Sequence, residues 1–197
     1  PTKADTVEEK AREELALRFL TRKRLLPFVE RFNPDYQAGW VHKDICQRLE
    51  EFSRDVTEKK SPRLMLFMPP RHGKSTLASV AFPAWHLGRN PQHEFISCSY
   101  SGSLAMGCSR KVRGLLREEG YKSAFKTRLD PQSQSAEAWL TTSGGGYVAA
   151  GVGGGITGKG AHILVIDDPV KNRDDAESAN ARSSAWDWYT STAYTRL

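Results

Sequence analysis

The chain has 197 residues, carries a formal net charge of +6 and contains three cysteines. A chain of this length can bury the core of one full domain without a disulfide framework, and Cys46, Cys98 and Cys108 lack the Cys-x-x-Cys spacing of zinc or redox sites. Its apolar runs are far shorter than the roughly 20 residues of a membrane helix and no signal segment opens it, which predicts a soluble intracellular protein with buried thiols, no membrane contact and a mild preference for a polyanionic partner.

The first sixty residues show a helical pattern. An apolar residue recurs at every fourth position, at Val7, Ala11, Leu15 and Phe19. This stripe predicts an amphipathic helix, with acidic residues at its start and basic residues at its end. A turn is predicted at residues 33–35, followed by a second helix over Val41–Phe52. We therefore expect residues 1–60 to form a small helical subdomain.

From residue 61 onward, strand and helix patterns alternate along the chain. Leu64–Met68 is a short apolar run that predicts a buried strand, and a helical stretch follows it through Leu87. His93–Tyr100 predicts a second strand, and Leu104–Arg117 predicts a second helix. This β-α-β-α order is typical of a parallel sheet flanked by helices, so the fold class is predicted to be α/β.

The last third of the chain adds further strands. Ala138–Thr142 and Tyr147–Ala150 flank a glycine-rich turn, which predicts a hairpin at the sheet edge. His162–Ile166 is an unbroken aliphatic run that predicts a buried strand, and the capping box formed by the acidic residues of 174–177 predicts the start of a last helix. We expect residues 61–197 to form one core.

The segment between the first predicted strand and its helix has the composition of a phosphate-binding loop. It reads Met-Pro-Pro-Arg-His-Gly-Lys-Ser-Thr over residues 68–76, a Walker A motif in which Met68 replaces the usual first glycine. Lys74 would contact the β and γ phosphates of ATP, and the Ser75 hydroxyl would bind Mg²⁺. The predicted ATP contacts are Pro70, Arg71, His72, Gly73, Lys74, Ser75 and Thr76. The alternative is a strand, turn and helix in which Gly-Lys-Ser occurs by chance.

Two adjacent carboxylates end the last predicted strand. Asp167 and Asp168 follow the aliphatic run, at the edge of a parallel sheet where α/β proteins bind their ligands. As a Walker B motif, Asp167 would hold Mg²⁺ through water, and Asp168 would orient or deprotonate the attacking water. The alternative is that the pair caps a turn or the next helix. The lysine loop earlier in the chain favours the Mg²⁺ site.

Several motifs in a fixed order together resemble one protein family. They are Pro-Pro-Arg-His-Gly-Lys-Ser over residues 69–75, Phe-Pro-Ala-Trp over 82–85, the segments 99–105 and 109–113, and the glycine-rich run that leads from residue 153 to Pro169. From about residue 42 to its end, the sequence is similar to the large terminase subunits of tailed double-stranded DNA phages, in their N-terminal ATPase domain.

The resemblance implies a fold, a reaction and partners. It implies a phosphate-loop ATPase of the additional-strand, RecA-like type that hydrolyses Mg-ATP to translocate double-stranded DNA into a procapsid. It further implies a homo-oligomeric ring on the portal protein, a small terminase subunit as partner, and the host cell cytoplasm as location. In the family a coupling strand and a nuclease domain follow the part represented here. We therefore expect no nuclease activity and weak ATP hydrolysis from this chain alone.

The resemblance also implies roles for individual residues. An arginine in the phosphate loop is a family trait, which implies that Arg71 senses or polarises the γ-phosphate; the alternative is a solvent-facing loop residue. Many relatives have an Arg-Gly pair that reaches a neighbouring subunit's ATP, and this chain has Thr157-Gly158 there. Lys159 is therefore the candidate trans-acting cation, or else an ordinary surface lysine. The adenine-contacting glutamine of the family corresponds best to Gln37.

A group of arginines is a candidate DNA-binding surface. Arg110, Arg113 and Arg117 are spaced to share one face of a helix, opposite an apolar face. Such a face would follow the DNA backbone without reading its sequence. A solvated helix face and a subunit interface are the alternatives.

Two other functions stay open at this point. One is another nucleic-acid-stimulated phosphate-loop ATPase, such as a helicase, because the core alone does not distinguish pulling duplex from separating strands. The other is a nucleotide-binding assembly module with weak catalysis, because Met68 and Asp168 depart from the usual motifs. In the main hypothesis, Arg71, Lys74 and Asp168 are the catalytic residues.

Overall fold

The first half of the chain is helical. A computed structural model describes residues 3–197, and at residues 3–6 and 134 it describes the backbone alone. The first three helices are α1 (Lys3–Lys23), α2 (Leu25–Phe32) and α3 (Trp40–Thr57). After an extended segment the chain becomes helical again at Lys74, winds as a π-helix over Thr76–Ala81, and continues as α4 (Phe82–Arg89).

The second half of the chain forms the sheet and the helices around it. In chain order these are β1 (Glu94–Ser99), α5 (Gly102–Arg117), α6 (Glu119–Ala124), β2 (Leu129–Gln134), β3 (Ala138–Thr141), β4 (Gly146–Gly151) and β5 (Ile163–Asp167). They are followed by α7 (Arg173–Glu177), α8 (Ala179–Trp188), a π-helical turn (Tyr189–Ala193) and a 3-10 turn (Tyr194–Arg196).

The five strands form one mixed sheet in the order β2-β3-β4-β1-β5. β1 pairs in parallel with β4 and with β5, whereas β3 pairs antiparallel with β4 and β2. The register places Ser99, the last residue of β1, beside Asp167, the last residue of β5. The carboxyl ends of both strands therefore meet at one edge of the sheet.

Apolar residues cover both faces of the sheet. Phe95 and Ile96 are adjacent on β1 and point to opposite faces, and both are fully buried. Phe95 packs in the larger cluster, with side chains of α2, α3, α4 and α5. Ile96 packs in a smaller cluster with Ile156 and with Trp188 at the end of α8. The sheet is thus the middle layer of three, and β1 is its most buried strand.

The N-terminal helices share the larger core. Phe28 of α2 and Leu49 of α3 belong to the same buried cluster as Trp85 of α4 and Phe95 of β1. The Arg24 side chain and the Leu25 backbone N–H both bond to Glu50, which ties α2 to α3. The division of the chain into domains at residue 60 stays a prediction.

Most of the predicted elements are present in the structure. The helices α3 and α5 and the strands β1 and β5 are confirmed, although α3 extends five residues beyond its predicted end. The hairpin is confirmed as β3 and β4, but its predicted position at the sheet edge is wrong. Because β4 pairs with β1 and β3 pairs with β2, both hairpin strands are internal. The sheet is mixed: β1 is parallel to its neighbours β4 and β5, and the hairpin is antiparallel.

The strand predicted at Leu64–Met68 is wrong. This segment is extended but joins no strand ladder. Its side chains alternate as in a strand: Leu64, Leu66 and Met68 pack on the larger core, while Met65 and Phe67 are 80% and 87% exposed. Alternation along the sequence indicates an extended backbone, whereas a strand also requires a hydrogen-bonded neighbour. The segment still leads directly into the predicted phosphate loop.

The helix α1 is present, but the face predicted to be buried is exposed. Val7, Leu15 and Phe19 are 67%, 63% and 52% exposed. The most buried residue of α1 is Thr21, which is fully buried, so the helix packs through a polar side. A polar contact holds α1 instead, since Arg31 of α2 bonds to Glu14 at 2.7 Å.

The capping box predicted at residues 174–177 is also wrong. The residue that caps α7 is Asn172, whose Oδ1 accepts the backbone N–H of Asp175. The Ser178 hydroxyl accepts the N–H of Ala181 and caps α8. The chain therefore forms two short helices where one was predicted, because two capping residues follow one another closely in the sequence.

Two expectations from the composition can be compared with the structure. Across residues 3–197, no helix is both long enough and apolar enough to cross a membrane. All three cysteines are free thiols. Cys46 and Cys98 are buried, which raises the pKa of each to about 12, and Cys108 is half-buried.

Candidate functional site

Two residues of the loop that follows the extended segment have positive φ angles. Arg71 has a φ of 63° and Gly73 a φ of 83°. A Cβ atom on Gly73 would lie 3.4 Å from the Tyr36 hydroxyl oxygen, so glycine also permits the close packing of the segment before α3. The helix begins directly afterwards, at Lys74, and its first N–H groups lack helical partners. The exposed loop residues are Pro69, Pro70, Arg71, His72 and Thr76.

Lys74 contacts the carboxylates of Asp167 and Asp168 at the end of β5. Its Nζ donates a hydrogen bond to Asp168 Oδ1 and lies 3.6 Å from Asp167 Oδ1. The bond to Asp168 is the main cause that raises the pKa of Lys74, and burial opposes it. The side chains of Lys74 and Asp167 are 24% and 15% exposed, whereas that of Asp168 is 61% exposed. Groups 94 positions apart in the sequence thus form one charged cluster at the carboxyl edge of the sheet.

Two contacts that sequence reasoning missed hold these carboxylates in place. Ser79 Oγ donates to Asp167 Oδ2 at 2.8 Å, and the backbone N–H of Tyr100 donates to the Asp168 carbonyl at 3.0 Å. Asp168 has a φ of 47°, a left-handed conformation that aspartate adopts more readily than most residues. Ser79 follows Ser75 by four residues in a helical stretch, and this spacing is the signal that could have singled it out.

The segment before α3 covers the loop from another side. His42 Nε2 lies 3.1 Å from the His72 carbonyl oxygen, and His72 Nδ1 lies 2.8 Å from the Pro70 carbonyl oxygen. The Tyr36 ring packs edge-on against the His42 ring, with 5.5 Å between their centroids. Gln37, the predicted adenine contact, is the next residue in this segment and is exposed. Gln37 therefore lies in a segment that is next to the loop on the surface of the protein.

An open cavity lies beside the loop. It has a volume of about 390 Å³ and is lined by Leu66, Phe67, Met68, Pro69 and Lys74. Most of its walls are apolar. Met68, which replaces the first glycine of the motif, is one of these walls, and the Lys74 side chain supplies the charge.

The cluster has the chemistry to bind an anion and a hard cation. Lys74 can donate to phosphate oxygens, and Asp167 and Ser75 offer the oxygen ligands that Mg²⁺ prefers. Among the residues that the structure describes, no group of three or more His, Cys, Asp or Glu side chains could hold a metal ion. Mg²⁺ commonly takes one or two protein oxygens together with water and substrate phosphates. Asp167 offers one such oxygen at the cluster, and the role of Ser75 as a ligand stays a prediction.

A comparison with models of protein families matches the region that contains this cluster to one family. The family model for the N-terminal part of the T4-like type of terminase large subunit matches residues 65–196, about two thirds of the chain. The chain belongs to the large terminase subunit family. Large terminase subunits serve in DNA-packaging motors, with portal and small terminase subunits as partners, and they are generally ATPases. A comparison with curated protein sequences gives no significant match.

The match covers the loop and both carboxylates of this terminase but not the segment before α3. Gln37 therefore lies outside the matched region. Lys159, the candidate trans-acting cation, lies inside it and is exposed in the loop between β4 and β5.

The three arginines of α5 lie on one face of this helix, as their spacing predicts. Arg110 and Arg117 are exposed and Arg113 is half-buried, whereas Val112 and Leu116 on the other side of the helix are buried. Desolvation, followed by the charges of Arg117 and Arg110, lowers the pKa of Arg113. The guanidinium groups are thus close enough to repel one another, and such a face favours an anionic partner.

Proposed function

We propose that this chain is the ATP-hydrolysing motor domain of a packaging terminase, which translocates double-stranded DNA into a procapsid. The observation that carries the proposal is the cluster of Lys74, Asp167 and Asp168. Phosphate-loop ATPases use a loop lysine for the phosphates and an acidic residue on a neighbouring strand for Mg²⁺. The proposal includes an additional-strand, RecA-like core as the fold of the complete domain.

Nucleotide binding would begin with an exchange of partners at Lys74. Its ammonium group is bonded to Asp168, and the β and γ phosphates of ATP would take over this ammonium. The exchange would release the Asp168 carboxylate. Arg71 is exposed at the tip of the loop, where its guanidinium group could grip γ-phosphate oxygens as a planar fork.

Ser75 and Asp167 would hold Mg²⁺ in this scheme. Mg²⁺, when bound, would neutralise negative charge that develops on the phosphate oxygens. The Ser79 hydroxyl donates to Asp167 Oδ2, and Oδ1 is the oxygen that lies 3.6 Å from Lys74 Nζ. Ser79 therefore orients the carboxylate for a ligand at the loop.

Asp168 would act on the attacking water after its release from Lys74. Its carboxylate is largely exposed, and the Tyr100 N–H holds its backbone by bonding to the carbonyl. A carboxylate in this position could orient or deprotonate water for in-line attack on the γ-phosphate. Lys74 and Arg71 would stabilise the charge of the transition state.

Duplex DNA would bind through its phosphates. The α5 face with Arg110, Arg113 and Arg117 is the proposed contact, and it would give salt-sensitive binding that is independent of sequence. Lys159, exposed in the loop before β5, is the proposed cation that reaches the ATP of a neighbouring subunit in the ring. Replacing both Arg110 and Arg117 by glutamate should weaken duplex binding uniformly across sequences and reduce its salt dependence.

The experiment is phosphate release from Mg-ATP by the wild type, Lys74→Ala and Lys126→Ala, each without DNA, with duplex DNA and with single-stranded DNA. Lys126 is an exposed lysine in the loop before β2 and provides the matched control. Turnover that is lost only in Lys74→Ala and is stimulated by duplex would support the packaging ATPase. Stimulation by single-stranded DNA alone would favour a helicase-like ATPase instead. Nucleotide binding without turnover, found also in a chain extended through the family's coupling strand, would favour the assembly module. Loss of neither in Lys74→Ala would refute the proposal.

A further inference from the structure

We infer that His42 is a positioning residue that fixes the backbone of the phosphate loop. It lies in the first turn of α3, outside the loop, and bridges two backbone groups. The Gly39 N–H donates to His42 Nδ1 at 3.0 Å, and His42 Nε2 lies 3.1 Å from the His72 carbonyl oxygen. The inference rests on the proposed function, because it concerns how the same loop is kept ready for phosphate.

One neutral tautomer of His42 satisfies both contacts. Nδ1 accepts the Gly39 N–H, so it carries no proton, and the proton of a neutral ring must then lie on Nε2. The Nε2–H donates to the His72 carbonyl oxygen. The ring therefore connects the start of α3 to the loop without an unmatched donor or acceptor.

The carbonyl that His42 holds determines the direction of a loop N–H group. The carbonyl of His72 and the N–H of Gly73 belong to the same planar trans peptide and point in opposite directions. A bond from His42 to this carbonyl therefore turns the Gly73 N–H away from α3. The residues on both sides of His72, Arg71 and Gly73, have positive φ angles of 63° and 83°, so local backbone preference alone does not hold this peptide in place.

Packing limits the movement of the His42 ring. Tyr36 contacts the ring edge-on, at an interplanar angle of 68°. A Cβ atom on Gly73 would lie 3.8 Å from His42 Nε2 and 3.4 Å from the Tyr36 hydroxyl oxygen. The loop backbone thus lies directly on the two rings, and Tyr36, before α3, and His42, in its first turn, together support the loop.

Two substitutions separate the two contacts of His42. The shorter amide of His42→Asn offers an acceptor near the position of Nδ1, so it can retain the bond from Gly39, but it does not reach His72. The longer amide of His42→Gln offers an N–H donor near the position of Nε2 and can retain the bond to His72. The pair therefore distinguishes a residue that caps α3 from one that positions the loop.

The first measurement is hydrogen exchange of the nucleotide-free protein, followed by mass spectrometry of peptides that cover residues 69–77, which include the Leu77 N–H that donates to the Gly73 carbonyl at 2.9 Å. We expect faster exchange in His42→Asn, by about fivefold, the factor that corresponds to one neutral hydrogen bond. In His42→Gln we expect most of the protection to be restored. Exchange in α3 should remain close to the wild type in both variants, which shows that they fold. Equal loop exchange in the two variants would overturn the inference.

The second measurement is the affinity for the Mg-ATP analogue ATPγS, with Lys74→Ala as the control for the proposed function. We expect His42→Asn to bind about fivefold more weakly than His42→Gln. If the wild type binds and the two variants bind equally, the positioning role is refuted while the proposed function stands. If the wild type and Lys74→Ala both fail to bind, the proposed function fails, and the exchange measurement alone decides whether His42 positions the loop.

Discussion

Lowering the pH from 7 to 5 should cost this protein roughly 2 kcal/mol of folding stability through one histidine, His86. Its side chain is fully buried in α4. His86 Nδ1 lies 2.8 Å from Ser53 Oγ, and His86 Nε2 lies 2.9 Å from His93 Nδ1. The His93 ring in turn stacks on His162, with 4.2 Å between ring centroids. Protonation of His86 would place a charge inside the core, next to other histidines.

The magnitude follows from the pKa of His86 in the two states. Burial, and then the neighbouring charges of His93, Arg89 and His162, lowers this pKa from 6.5 to about 3 in the folded protein. Between these two values the unfolded chain binds more protons, so stability is complete above pH 6.5 and falls as the pH decreases. The loss is about 1.4 kcal/mol per pH unit, which makes roughly 2 kcal/mol at pH 5. Burial also lowers the pKa of His93, which adds a loss in the same direction.

The assay is urea unfolding at pH 7 and pH 5, with the wild type and His86→Gln. Glutamine does not titrate, so the variant should be less stable at pH 7 but should lose less stability between the two pH values. The pKa of Glu14, which Arg31 and Arg18 lower, affects stability only below its ordinary value of 4.5, outside this range. An equal loss of stability in both proteins would show that His86 is not the source of the acid sensitivity.

Three further substitutions test the site and the core. Asp168→Asn removes the carboxylate that competes with phosphate for the loop lysine, so turnover should fall at least about a hundredfold while affinity for Mg-ATP is retained or rises; weaker binding would contradict this. Ser79→Ala frees the Asp167 carboxylate, and the Mg²⁺ concentration for half-maximal nucleotide binding should rise about tenfold in a titration. Gly88→Ala would place a Cβ atom 2.5 Å from the Phe125 ring and should cost about 1–3 kcal/mol in urea unfolding. Gly107→Ala, in a helix with nothing within 4 Å, is the matched control and should not destabilise.

Local sequence patterns predicted much of the fold. The aliphatic run of β5, the helix α5 and the β3–β4 hairpin depend on residues close in sequence, and all three appear where the patterns indicate. The same holds for the family, since the motifs that carry the resemblance lie within the matched region 65–196. The loop residues and the two aspartates could also be named, because each stands directly after an apolar run.

The tertiary structure decided which of these elements and residues meet. The mixed order of the sheet, the unpaired segment before the predicted phosphate loop and the exposed apolar side of α1 depend on partners far away in the chain, so no local periodicity could determine them. The same reason applies to the site. The sequence by itself determined that Lys74, Asp167 and Asp168 are present, but their contact spans more than ninety residues. Likewise, Ser79 and His42 acquire a role only because folding brings Asp167 to one and the loop carbonyl to the other.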